Sequence, residues 1–371
     1  KKEERTLEAK KWNMLAKSIM PLREKWHGLQ DVEERYRKRY LDILFNPDVK
    51  EKFEKRSQII KELRNFMGDN EFMEVTTPTL QPLYGGASAR PFKTHMHALD
   101  IDLFLRIAPE LYLKRLLVGG FERIFEFTTN FRNEGIDRDH NPEFSVLEFY
   151  GAYKDLDWMA DFTEELFEKV VKKIFGTTKV KYQNMEVDFK KPYQKETFAN
   201  LLKKHTGIDY EKSAEEDMKS RAEELGIKIE KHASKAVLAD EIFKKAVRPK
   251  LQQPTFVSEY PAEILPLAKK LNDPEYVDAF QFFAGGLELI KAFSELNDPI
   301  DQRNRFKAQE NKRAKGDEEA QVLDDDFIEA MEYGMPPAAG WGLGLDRFIS
   351  LLTDSHSIRE IILFPLMKPR E

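Results

Sequence analysis

Arg132 and Glu134 stand two positions apart at the end of an aromatic run, and a polar cluster, His140-Asn141-Pro142-Glu143-Phe144, follows close behind. The pattern reads as a strand that ends in a polar loop, with a second strand leaving it, and the spacing predicts that Arg132 and Glu134 share one sheet face. A fixed guanidinium beside a carboxylate suits a ligand that carries both an anion and an amine donor. Phe144 offers a surface on which a flat base can stack. An ordinary hairpin with a surface ion pair has the same residues, and spacing alone favours that plainer reading.

Three further groups carry chemistry. In Leu147-Glu148-Phe149-Tyr150, Glu148 and Tyr150 fall on the face of Phe144 and Val146; if that face is enclosed, Glu148 requires a cation or a donor, because desolvating a lone carboxylate is costly. In LELIKAFSEL, residues 287–296, alternation puts Leu289, Lys291, Phe293 and Glu295 together. A buried Glu295 there would pair with an ammonium group, supplied either by a ligand or by Lys291. In Gly340-Trp341-Gly342-Leu343-Gly344-Leu345-Asp346-Arg347, alternate glycines allow a backbone to approach a ligand closely. Arg347 falls in the first turn of the following helix, where the dipole disfavours a cation unless an anion binds nearby.

The elements that must position these groups are legible in outline. Residues 1–46 read as linker and helix, and residues 49–67 as a helix with Phe53, Ile59, Ile60, Leu63 and Phe66 on one stripe and a solvated charged face. Alternation predicts successive strands of an antiparallel sheet at 101–107, 124–131 and 144–153, then a covering helix at 157–175. Residues 196–250 are rich in Lys and Glu and predict a helical insertion. Strand signals return at 255–260, 280–284 and 287–296, and residues 340–353 read as a Gly-rich turn opening a helix.

Composition narrows the class. The chain has 371 residues, 41% hydrophobic and 34% charged, enough for one large catalytic domain. It has no Cys, which excludes disulfides, thiolate zinc sites and cysteine nucleophiles. Its seven His have no metal-type spacing; His95 and His97 are the nearest pair. The formal charge of -6 carries no nucleic-acid signal, and no apolar run is long enough to span a membrane. Nor does the charged N-terminus hold a signal-peptide core.

Taken in order, the segments resemble the three signature motifs of class II aminoacyl-tRNA synthetases: residues 72–78, residues 131–153 and residues 342–347. The stretches KWHGLQDVEERYRKRYLD (25–42), GGASARPF (85–92), RIAPELYLKRLLVGGFER (106–123), HNPEF (140–144), AFSELNDPIDQ (292–302) and MPPAAGWGLGLDR (335–347) narrow the resemblance to the lysine-specific branch. It implies an α+β fold with an antiparallel sheet flanked by helices, a catalytic domain over 47–371, and a cytoplasmic homodimer built largely through the first motif. It implies ATP, L-lysine and tRNA(Lys) as partners, with Mg2+ as cofactor, and two steps: formation of lysyl-adenylate, then transfer to the tRNA 3′ end. The family usually carries an N-terminal anticodon-binding barrel; only its connecting segment, residues 12–28, is visible, so adenylate formation is expected to outlast tRNA discrimination.

Roles carry over by position. Arg132 is implied to grip the α-phosphate and the lysine carboxylate, and Arg347 to close the other face or meet the phosphates. Glu134, His140 and Asn141 would contact the nucleotide, with Phe144 stacking on the ring. Gly86 and Glu110 would hold the α-amine, and Glu295 and Tyr150, with Glu148, Lys291 and Phe293 nearby, would surround the side chain. Glu288 resembles a magnesium ligand, yet strict alternation puts it on the face opposite Glu295, so a bulge is required. Gln281 stands where the family usually has a second metal-binding Glu, and Lys291 where it usually has Asn; the Lys291 ammonium is expected to replace part of a metal ion's charge. Glu71 replaces a usual Gly and Leu265 a usual Ser. The rival expectations are a barrel-less paralogue that lysylates elongation factor P, and a catalytically silent regulator on the same fold.

Overall fold

The computed structural model describes residues 6–22, 29–227, 233–314, 316 and 319–370. Residues 25–28 of the lysine-type linker segment, the charged residues 1–5 and residues 228–232 of the helical insertion lie outside the described residues.

Most of the alternating segments join one eight-stranded sheet. Its strands are β1 (Met73–Glu74), β2 (Arg123–Phe131), β3 (Glu143–Ala152), β4 (Gln194–Thr197), β5 (Thr255–Pro261), β6 (Tyr276–Ala284), β7 (Leu287–Ser294) and β8 (Ala338–Gly344). They lie in the order β1-β2-β3-β8-β7-β6-β5-β4. The expectation of a wholly antiparallel sheet is corrected at its edges. The six central strands are antiparallel, but β1 runs parallel to β2 and β4 parallel to β5. Both parallel neighbours are reached through long crossovers rather than hairpins, which is what parallel pairing requires.

Two other expectations change. The segment 101–107 does not enter this sheet: Ile101–Leu105 is the middle strand of a separate three-stranded sheet. The chain leaves it at Arg106, whose buried guanidinium turns to Glu126 on β2 at 2.7 Å. And the Gly-rich stretch is not a turn. Residues 338–344 are β8, a central strand, and the helix begins only at Leu345.

Helix α1 (Pro47–Asp69) buries Ile59, Leu63 and Phe66 as the stripe predicts, with Phe53 and Ile60 half-buried. Together with α3 (Leu156–Phe175) and α4 (Leu345–Leu352) it covers one face of the sheet; α2 (Glu110–Val118) packs on β3 and against the helix Asp325–Glu332. The core on the covered face is aromatic: Phe149 meets Trp341 at 4.8 Å and Phe167 stacks on Phe348 at 4.6 Å. Buried Trp341 donates its indole N–H to Thr163 Oγ1 at 2.9 Å, which satisfies the one polar group of that ring. The insertion forms helices Phe198–Thr206, Glu215–Glu224 and Lys235–Ile242, packed on Val257 and Phe283. Short helices Val32–Arg37 and Arg39–Phe45 are tied to the C-terminal segment through buried Arg39, which donates to the carbonyls of Arg359, Ile362 and Leu363. Among the described residues no helix is long and apolar enough to cross a membrane.

Candidate active site

The face of the sheet opposite this core bounds a cavity of about 460 Å³, within the usual size of a small-ligand site. β8 makes its floor. Gly340, Gly342 and Gly344 alternate, so all three point the same way and leave that face of the strand without side chains. Ala339, Trp341 and Leu343 point into the core. Cross-strand pairs then set two rows on the cavity side: Tyr150, Gly340 and Phe293 in one, Glu148, Gly342 and Lys291 in the other. Gly340 admits no side chain. A Cβ there would overlap Glu295 Oε1 and stand 2.5 Å from Tyr150 Cε1.

At one end of the cavity are Arg132, Glu134, His140, Asn141, Phe144, Glu288, Lys291 and Arg347. The prediction that Arg132 and Glu134 share a strand face is corrected, since β2 stops at Phe131 and both residues lie in the loop beyond it. The loop is pinned at its root, where Arg132 N–H donates to Pro142 O at 2.8 Å. The Arg132 guanidinium sits 5.0 Å over the Phe144 ring, so one face of that ring is already taken. Its buried Nε has no hydrogen-bond partner among the described residues. Burial lowers its pKa while Glu134 opposes the shift, and a cation in this state lacks only an anion. Asn141 donates to Glu143 O at 2.6 Å, which leaves its buried Oδ1 without a donor.

Arg347 lies in the first turn of α4. It donates to Glu288 O at 3.2 Å and Asp139 O at 3.4 Å, and meets His140 Nε2 at 3.0 Å. The two carbonyls offset part of the unfavourable helix-dipole position. Neighbouring Asp346 ties the start of α4 to its surroundings, accepting from Arg56 Nη1 at 2.7 Å and from Ser145 N at 2.8 Å.

Glu288 reaches this end through the bulge that alternation demanded. Phe282 pairs with Ile290 but Phe283 pairs with Glu288, so Leu289 is the extra residue. Past that irregularity the Glu288 carboxylate comes within 3.6 Å of Lys291 Nζ. Burial pushes the Glu288 pKa up, but Lys291 and Arg347 outweigh it and bring it below the ordinary value. Among the described residues no three His, Cys, Asp or Glu side chains cluster as a metal site. His95 instead meets Asp102 at 3.0 Å on an exposed strand.

The other end is lined by Gly86, Glu110, Glu148, Tyr150 and Phe293. Gly86 has φ +82°, and a Cβ there would also come within 2.9 Å of Glu110 Cβ, so only glycine fits between the loop and α2. Tyr150 OH lies 3.4 Å from Glu148 Oε2. Burial, reinforced by Glu110, pushes the Glu148 carboxyl up to about 8.

Glu295 departs from expectation in two ways. It borders a second hollow of about 330 Å³ rather than the main cavity, although its Oε1 reaches the cavity side of Gly340, where a Cβ of that residue would fall. Its partner is not Lys291 but Lys114 Nζ, which contacts Glu295 Oε2. Oε1, held against Gly340, has no hydrogen-bond partner among the described residues. Burial raises the Glu295 carboxyl to about 8 even though Lys114 opposes the shift. The sequence reading also passed over Asp139, Asp240 and Lys244, all on the cavity wall. The latter two come from the insertion, whose Lys/Glu composition does not distinguish a wall residue from a solvated one.

A family model described as tRNA synthetases class II (D, K and N) matches residues 31–368. Relatives named lysine–tRNA ligase are similar along nearly the whole chain. The protein from Pelotomaculum thermopropionicum is 54% identical, covering 99% of this chain and 73% of its own length. That from Syntrophomonas wolfei is 52% identical, covering 96% and 73%. That from Moorella thermoacetica is 51% identical, covering 99% and 75%.

Proposed function

We propose, for a chain that belongs to the class II tRNA synthetases (D, K and N), that it is a lysine–tRNA ligase, activating lysine with ATP and passing it to the 3′ end of tRNA(Lys). One observation carries the reading: a single cavity has two guanidinium groups at one end and a nest of buried carboxylates at the other. In the first step a lysine carboxylate oxygen attacks the α-phosphorus of ATP. The bond to pyrophosphate breaks, leaving lysyl-adenylate. In the second step a hydroxyl of the terminal ribose attacks the activated carbonyl and AMP leaves. Neither step needs a protein nucleophile; holding the reactants in line and neutralising phosphoryl charge is the enzyme's contribution.

Arg132, with an unpaired Nε and no carboxylate bonded to it among the described residues, holds the substrate carboxylate and the α-phosphate. Arg347 meets the phosphates from the other side. Asn141 Oδ1 accepts from the adenine amine, with Glu134 and His140 at the rim and the free face of Phe144 under the base. Glu110 and the glycine turn at Gly86 take the α-amine. Glu148, Tyr150, Phe293 and Glu295 surround the side-chain ammonium. An amino acid with an uncharged side chain leaves Glu295 Oε1 desolvated and without a donor, which supplies the selectivity.

Magnesium sites use one or two carboxylates completed by substrate phosphates, and Glu288 fits one such ion. When bound, the ion would neutralise the phosphate oxygens that Glu288 faces. Gln281 offers no second carboxylate, and Lys291 Nζ stands beside Glu288, so the ammonium takes over part of the second ion's charge. A homodimer in the cytoplasm is the assembly proposed, with β1 at its seam. β1 is an edge strand with Met73 exposed, and apolar Leu80, Leu83, Met96 and Ile101 are exposed in residues 80–101, which carry the small three-stranded sheet.

The acceptor is tested by incubating the chain with ATP and labelled lysine, then adding tRNA or elongation factor P. Label on tRNA is the expected result. Label on the protein alone would transfer the reading to the lysylating paralogue, and no adenylate at all would leave a silent regulator.

A further inference from the structure

Lys114 is fully buried at the amine end of the cavity, and helix geometry puts it there. It lies four residues after Glu110 on α2, on the same helix face, with Nζ 2.6 Å from Glu110 Oε1. The same Nζ contacts Glu295 Oε2 and sits 5.4 Å over the Phe293 ring. We propose that Lys114 is a positioning residue for the substrate, a built-in ammonium that ties Glu110 to Glu295 and leaves the amine end short of two further ammonium groups. The proposal rests on the reading of these two carboxylates as amine acceptors.

The charges support it. Glu110, Glu148 and Glu295 are three buried carboxylates, and Lys114 offsets one of them. Lysine brings an α-ammonium and a side-chain ammonium, while its own carboxylate goes to Arg132. An amino acid with a single ammonium leaves one buried carboxylate without a counter-charge, which is costly. Lys114 also fixes direction: by holding Oε2 of Glu295 it keeps Oε1 against Gly340 for an incoming donor. Tyr150 and Arg132, with Glu126 behind Glu148, are the other titratable and charged groups that bear on this cluster. Burial works against the charge of Lys114, but Glu110 and Glu295 outweigh it and raise its pKa.

The test is ATP–pyrophosphate exchange by Lys114→Met across the range from pH 6 to 9. The KM for lysine at neutral pH is expected to rise by roughly tenfold or more while the KM for ATP stays within about twofold. The pH midpoint of kcat/KM for lysine moves alkaline by about one unit, because Glu110 and Glu295 lose the cation that holds them down. A wild-type midpoint in that variant overturns the proposal. Should the variant not fold by circular dichroism, the unmodified enzyme decides. Its kcat/KM for lysine should carry an ionisation near 8 that is missing from kcat, since bound lysine leaves no carboxylate to titrate. The same ionisation in both parameters overturns the proposal. No lysine-dependent exchange in the unmodified enzyme sinks the reading of the site as well, and is told apart by that.

Discussion

Burial, more than residue type, sets the chemistry of each carboxylate in the cavity. Glu148 and Glu295 are both pushed up to about 8 by burial, whereas Glu288, beside Lys291 and Arg347, is brought below its ordinary value. A carboxyl raised on folding gives stability that is full below the unfolded value of about 4.5 and is lost as pH rises through the folded one. Ligand-free stability is therefore expected to fall between pH 5 and 8. Lysine reverses the sign locally, because its ammonium groups favour the ionised carboxylates. The rise in melting temperature caused by lysine should grow from pH 6 to 8, as read by scanning calorimetry; a rise independent of pH would contradict these assignments. Lys291 is tested separately. Lys291→Asn is expected to raise the magnesium concentration needed for half-maximal exchange, and an unchanged requirement would refute the charge-replacement idea. Alternation made Glu148, Tyr150 and the need for a bulge at Glu288 legible in sequence. Lys114 was not legible, because nothing in ELYLKRLLV separates a buried lysine from a surface one until α2 is packed against Glu295.

At the level of elements, β8 does most of the shaping. Its glycines were recognised but read as a turn. A glycine at every second position is equally the mark of a strand with one empty face, and the apolar Ala339, Trp341 and Leu343 that alternate with them favour that assignment. Two substitutions on this strand should behave differently. Gly340→Ala drives a Cβ into Glu295 and Tyr150, and is expected to cut kcat/KM for lysine by about a hundredfold, with overpacking costing about 1–3 kcal/mol of stability in urea unfolding. Gly342→Ala puts its Cβ 3.5 Å from Glu148 Cγ, an ordinary contact, so stability should change by less than about 1 kcal/mol. Equal effects of the two would mean that the floor is not where β8 places it. Residue 71 shows the opposite case. Glu71 holds φ +65°, a conformation that favours glycine, and its carboxylate bonds Arg123 at 2.7 Å. That backbone accounts for the usual Gly at this position, not for the Glu that replaces it here.

Across the whole molecule, the cavity draws on parts of the chain far apart in sequence: the loop at Gly86, α2, the β2–β3 loop, the insertion, β7, β8 and α4. The α+β class and the central strands were legible because alternation reports a half-buried sheet directly. The parallel edge strands were not, since β1 has two residues and β4 has four, too few for any period to register. The exposed apolar residues of β1 and of the small sheet lead to a further expectation: sedimentation should give twice the 43.5 kDa chain mass, and a monomer at micromolar concentration would refute the proposed dimer. The central claim is that one site joins a nucleotide-gripping guanidinium to acids awaiting a diamino acid. It is tested most directly by ATP–pyrophosphate exchange with each of the standard amino acids in turn. Exchange should depend on lysine above all others and disappear in Arg132→Ala; exchange driven equally well by an amino acid with an uncharged side chain, or by none, would contradict it.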